Sequence, residues 1–258
     1  MPAPATSTAN PDLLDPRFQK IFHEQFDQVP DMIPELFTSA PHNGRNNMMW
    51  SEVGAFGDWG QFSGRVNYDD VTQGYDTTMT FLEFASGFEV ERALMDDDQY
   101  HIMDQKPKGM AEAEHRTRQK HGAQIFNNAF SVDTLFYNHS EGVALCSNSH
   151  TTTSGASTST GFDNLTTVSL TATGVFSARL LMVGYRGDQA ERIEIMPDEL
   201  WYPPDLSEQA FEIVKSSGKV DSSNNNRNFH EGRYKTYEWR YLTDTNNWFM
   251  CDSQMRKA

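Results

Sequence analysis

Residues 99–130, QYHIMDQKPKGMAEAEHRTRQKHGAQIFNNAF, constrain this chain more than any other stretch. Pro107 suits the first turn of a helix, where its missing N–H is not needed. From there to Asn128 no further proline occurs, and Ala, Glu, Gln, Lys and Arg, all good helix formers, dominate. A helix over 107–129 is predicted, a rod of roughly 33 Å. Its apolar residues are sparse (Met110, Ala111, Ala113, Ile125, Phe126, Ala129), and the bulky ones gather at its C-terminal end. Such a helix cannot be the centre of a core. It must pack by a narrow stripe or be covered by another chain.

Composition agrees with a chain of large surface. Of 258 residues, 37% are hydrophobic, which is lean, yet 12% are aromatic, which is too rich for a disordered chain. A net charge of −15 and the lack of any basic run argue against a dedicated nucleic-acid binder. Cys146 and Cys251 stand alone, without a CxxC spacing, so reduced thiols are expected. The N-terminus has neither a charged nor an apolar leader segment, and no run approaches the ~18 apolar residues of a membrane span.

Residues 1–14 read as a flexible arm. Asp15 and Pro16 then read as the cap and first position of a short helix with Phe18, Ile21, Phe22 and Phe26 on one face. Residues 46–76 are unusual: five glycines alternate with Trp50, Phe56, Trp59, Phe62, Tyr68 and Tyr75. The period-2 spacing of Phe62, Gly64, Val66 and Tyr68 predicts a β-hairpin. Its rings outnumber what a two-stranded ribbon can bury by itself, so a partner surface is expected.

Residues 76–92 are expected to form a long strand, and Asp96–Asp98 to open a short helix through Met103. Beyond the long helix, 132–146 read as a strand pair and 147–164, rich in Ser and Thr, as a loop. A helix is expected over about 166–185, then strands RIEIM and ELWYP. A second helix follows, with Asp205 and Glu208 as a capping pair. After a polar loop at 217–233, YEWRYL and WFMCD read as a closing hairpin around 244–247.

Chemistry-bearing motifs are absent: no GxGxxG, Walker loop, HExxH or GxSxG occurs. His115 and His121 lie six residues apart on the long helix and face different ways, a poor metal pair. Asp96–Asp98 suit a helix start better than a metal. Glu83, Glu89 and Glu91 resemble exposed strand carboxylates more than a glycosidase pair. Cys146, in GVALCS, reads as a core thiol. No catalytic residue, cofactor or metal is expected.

The order of parts resembles the tailed-phage major capsid proteins of the Hong Kong 97 type, nearest the Mu-type head subunits. ALMDDDQYHIM with the helix ending IFNNAF is similar to that family's spine helix and lead-in. GVALCSNSH resembles the segment after the spine, and LLMVGYRGDQAERIEIMPDELWYPPDLSEQAFEIVKSS its axial-domain signature. The resemblance implies an α+β fold with an N-terminal arm (1–45) and an extended hairpin or E-loop (46–76). A peripheral domain (77–164) would carry the spine helix 107–129 on a sheet. An axial domain (165–235) and return strands (236–258) would complete it. It further implies self-assembly into hexamers and pentamers, non-specific contact with packaged double-stranded DNA, and portal, scaffold and decoration partners. The location would be the virion, reached from the host cytoplasm, with no membrane. Trp50, Phe56, Trp59, Phe62 and Tyr68 would contact neighbouring subunits.

Three departures from the family pattern stand out. The chain stops soon after WFMCD, so it reads as truncated or as a short variant. Residues 46–76 hold no lysine, so the family's lysine–asparagine cross-link is not expected. No scaffold-like N-terminal extension precedes the arm. Two other functions fit the same residues: an encapsulin-like compartment shell, and a carbohydrate-binding β module built on the aromatic hairpin.

Overall fold

The polar rod is there, and its buried stripe explains how so polar a helix packs. The computed structural model describes residues 11–41, 44–66, 68, 70–91, 102–218 and 226–257. Helices are α1 (Pro11–Gln28), α2 (Ile33–Leu36), α3 (Gln105–Asn127), α4 (Ala172–Val183) and α5 (Ser207–Lys215). Strands are β1 (Asn47–Val53), β2 (Gln73–Thr80), β3 (Asn138–His139), β4 (Glu199–Tyr202), β5 (Lys235–Glu238) and β6 (Phe249–Cys251). The chain divides into two units, Met1–Leu36 with Leu82–Gly122, and Phe37–Phe81 with Ala123–Ala258.

In the first unit, Pro107, Ala111, His115 and Gln119 are buried at four-residue spacing along α3. That spacing is a single ridge of the helix, which α1 and the residues after it cover. The ring of Phe26 meets His115 edge-on at 6.3 Å. Asp31 then binds Arg118 at 3.1 Å and accepts from Gln119 Nε2. Arg17 holds Asp104 at 2.6 Å, and Phe18 packs on Phe88 at 5.8 Å. Gln119 is thus hydrogen-bonded within the unit, which allows its burial, whereas the buried Nε2 of His115 has no hydrogen-bond partner among the described residues.

In the second unit, β4 is buried along its whole length. Leu200 and Tyr202 enter a core with Leu206, Ala210, Ile213 and Val214. On the opposite face Trp201 stacks on Tyr237 at 4.0 Å and meets Trp239 edge-on at 6.2 Å. A strand covered on both faces reads as a continuous apolar run, as Leu200, Trp201 and Tyr202 do after Glu199. Beside Trp201, Glu199 receives Arg256 through two bonds of 3.0 and 2.9 Å. Phe126, at the end of α3, packs against Phe249 at 5.0 Å, and Asn127 donates to the carbonyl of Tyr241 at 3.1 Å. Thr171 caps α4 by accepting from the N–H of Gly174 at 3.0 Å.

Several expectations are corrected. Residues 81–91 form no strand; β2 pairs with β3 only as far as Thr78 and with β1 as far as Thr80, where the ladder ends. The pair expected in 132–146 reduces to β3, and RIEIM contributes one isolated bridge, Arg186 with Arg192. β5 and β6 do not form a hairpin with each other: β4 lies between them, parallel to β5 and antiparallel to β6. Asp244 does turn the chain, accepting from Asn246 and Asn247. The Asp205–Glu208 pair caps nothing, because a 3₁₀ turn over Pro204–Leu206 leads directly into α5. α1 starts at Pro11, with Pro16 inside it. The short helix expected from Asp96 lies largely outside the described residues.

Candidate assembly surface

The hairpin has an ordered root and an irregular tip. β1 and β2 pair from Asn47 with Thr80 to Val53 with Gln73, with a bulge between Ser51 and Val53. Beyond that, the described residues between Val53 and Gln73 form no strand, so the period-2 run from Phe62 to Tyr68 is not a ladder. The alternation there comes from glycines interleaved with rings, not from a pleat. The tip closes at its base where the N–H of Gly54 meets the carbonyl of Thr72 at 2.8 Å. A β-carbon at Gly54 would stand 2.6 Å from Asp188 Oδ2 and 2.8 Å from that same carbonyl. Glycine is required there by close approach.

Asp188 anchors the root. Its carboxylate accepts from Thr72 Oγ1 at 3.0 Å and from Thr152 Oγ1, and its carbonyl from Ser154 Oγ at 2.5 Å. Thr153 Oγ1 donates to the carbonyl of Gln73 at 2.8 Å, and the hydroxyls of Thr151 and Tyr75 meet at 2.6 Å. The Ser/Thr-rich loop 147–164 is therefore a polar clamp on the hairpin's root. Behind it, Glu141 accepts from His150 at 2.9 Å and from the backbone and hydroxyl of Thr151. Burial alone would raise the Glu141 carboxyl; the His150 and Thr151 hydrogen bonds outweigh it and hold it below the usual range. Sequence reasoning missed this clamp. Its members lie more than a hundred residues apart at the extreme, and a Ser/Thr run carries no partner information.

Beyond the anchored root the rings stand in solvent. Trp59 is 98% exposed and Tyr68 93%, and Phe56 and Phe62 are also exposed. Trp50, paired with Thr77 in the ladder, is less so. The structure gathers all five expected contact residues on one ribbon.

Among the described residues no three His, Cys, Asp or Glu side chains are grouped to hold a metal. Glu83, Glu89 and Glu91 are exposed on an irregular segment. Cys146 and Cys251 are free thiols; burial pushes them up to about 11 and about 12, far from thiolate reactivity at neutral pH. No helix among the described residues is long and apolar enough to cross a membrane.

The most prominent feature of this surface is thus an anchored ribbon carrying exposed aromatic rings. Known proteins make this particular. The phage capsid protein family matches residues 74–257, and this chain belongs to it. Its fold is similar to that of the bacteriophage JBD30 capsid, with a TM-score of 0.67 at 13% identity over 88% of this chain and 95% of that one. The capsid of bacteriophage JBD30 decorated with minor capsid protein trimers gives 0.60 at 13% identity, covering 94% and 100%. The procapsid of the same phage gives 0.59 at 15% identity, covering 89% and 97%. No curated protein matches the sequence. The chain is a major capsid protein of a bacteriophage, a structural component of the virion.

Proposed function

We propose that the chain builds an icosahedral tailed-phage head of the Hong Kong 97 type, most like the Mu-type subunits. In this reading 46–76 is the E-loop, 1–45 the arm, 77–164 the peripheral domain, 165–235 the axial domain and 236–258 the return strands. Identical copies form hexamers and pentamers around packaged double-stranded DNA, which touches the inner surface without sequence preference. Portal and scaffold proteins assist, and assembly takes place in the host cytoplasm. Because the JBD30 capsid carries minor capsid protein trimers, decoration of this shell by a second protein is part of the proposal. The chain catalyses nothing.

The observation that carries the reading is the exposure of the ribbon's rings; in this reading Trp50, Phe56, Trp59, Phe62 and Tyr68 find burial against neighbouring subunits. Each large ring is worth roughly 1.5–3 kcal/mol when removed from water. The test is Trp59→Ala combined with Phe62→Ala. The subunit should keep near-native circular dichroism while sedimentation shows particle assembly impaired. A double variant that unfolds, or one that assembles normally, sinks the assignment.

A further inference from the structure

The second unit holds an apolar cavity of about 560 Å³. Phe126, Leu181 and Trp248 form part of its wall, and Met182, Met250 and Met255 supply flexible apolar side chains. Cys146 and Cys251 also line it, so the two thiols of the chain share one compartment. Phe130, Val168 and Met255, on the same lining, are exposed apolar side chains. The volume lies in the range of roughly 300–1,000 Å³ typical of ligand sites, and methionines suit a pocket that must adapt to an incoming ring. Nothing above gives this cavity a role.

We infer that it receives the ring side chains of a second copy's hairpin tip, Trp59 and Phe62 foremost. The inference rests on the ribbon being an intersubunit contact. Three observations select this occupant. Trp59 and Tyr68 at the tip are the two most exposed large apolar side chains among the described residues, and Phe62 beside them is also exposed. The cavity is an apolar recess on the same chain, large enough for an indole and a phenyl ring together. And the protein belongs to a family that forms shells, so every copy brings both the rings and the recess. A knob on one surface entering a recess elsewhere on an identical chain is a heterologous contact, the kind that propagates around a ring of subunits.

The test places p-benzoylphenylalanine at position 62 in particles assembled from a mixture of heavy-isotope and ordinary subunits, followed by irradiation and peptide mass spectrometry. Benzophenone inserts preferentially beside sulfur, so Met182, Met250 or Met255 of a differently labelled chain is the expected site. Adducts on another surface of a differently labelled chain overturn the cavity but leave the intersubunit ribbon intact. Adducts within one chain overturn both. Absence of any adduct overturns the cavity. A second measurement uses the unmodified protein: alkylation of Cys146 and Cys251 by N-ethylmaleimide should be at least about tenfold slower in particles than in dissociated subunits. Equal rates in the two states exclude ring occupancy whatever the photochemistry gives.

Discussion

Two aromatic groups in the second unit have the same chemistry and opposite surroundings. Around β4, Trp201, Tyr237, Trp239 and Phe249 are buried, with Trp201 only 1% exposed. On the hairpin, Trp59 and Tyr68 are almost wholly in water. The first group sits where a strand is flanked by two others and backed by helices, so each ring meets protein on every side. The second sits on a ribbon whose strands end at Val53 and Gln73 and whose tip has no layer behind it. The contrast teaches that burial here follows the number of layers, not the residue type. It also separates rings that hold one chain together from rings that the subunit leaves in water.

The sharpest break of that comparison is Trp201→Ala. Removing a buried indole stacked at 4.0 Å on Tyr237 should cost about 3–5 kcal/mol. Chemical denaturation of the subunit should show a matching fall in midpoint. A change below about 1 kcal/mol would mean that the β4 layer is not the folding core.

The junction between the two regions is the next place to press. Gly54→Ala would push a β-carbon against Asp188 and the Thr72 carbonyl, and the backbone carbonyl cannot turn aside. A loss of about 1–3 kcal/mol is expected, together with faster amide exchange in β1 and β2. Unchanged exchange would show that Asp188 does not anchor the root.

A smaller effect is tied to pH. The Asp252 carboxylate accepts from the N–H groups of Met196 at 2.6 Å, Gln254 at 2.8 Å and Met255 at 3.2 Å. Burial alone would raise this carboxyl, but the backbone donors outweigh burial and hold it below the usual carboxylate range. A group depressed in the folded state adds stability that is full above its unfolded value and is lost as pH falls through the folded one. The β4 region should therefore weaken as pH drops below about 4. Asp252→Asn should cost on the order of 1 kcal/mol at neutral pH and flatten that acid dependence. An unaltered slope of stability against pH would assign it to other carboxylates.

What the sequence revealed follows the same division. α3 was legible within two residues at each end, because Pro107 and a run of good helix formers act locally. ELWY was legible as a strand because Leu200, Trp201 and Tyr202 form a short apolar, aromatic-rich run. The insertion of β4 between β5 and β6 was not: two short segments flanking a turn look like a hairpin whichever third strand separates them. Residues 81–91 carry strand-like alternation, yet no neighbouring strand continues the ladder beyond Thr80, and alternation alone cannot supply one. At the assembly surface the excess of rings was plain from composition. The clamp of Thr72, Thr152, Ser154 and Asp188 was not, since hydroxyls at distant positions acquire partners only when the fold brings them together. Gly54, just past the end of β1, and Gly74, near the start of β2, were local hints of close approach.

The smallest expected change closes the comparison from the hairpin side. Trp59 is 98% exposed, so Trp59→Ala removes almost no contact from the isolated subunit. Substitutions of this kind usually stay within about 0.5 kcal/mol, and the denaturation midpoint should barely move. The same indole is among the largest apolar side chains in the chain, so a null effect on the subunit is informative only beside a loss in the particle. Particles of the variant should dissociate at lower denaturant than unaltered ones while their subunits unfold at the same point. If instead the subunit itself loses more than about 1 kcal/mol, the indole is buried within one chain in solution. The distinction between rings that fold the subunit and rings that join it to others would then fail at the residue where it is clearest.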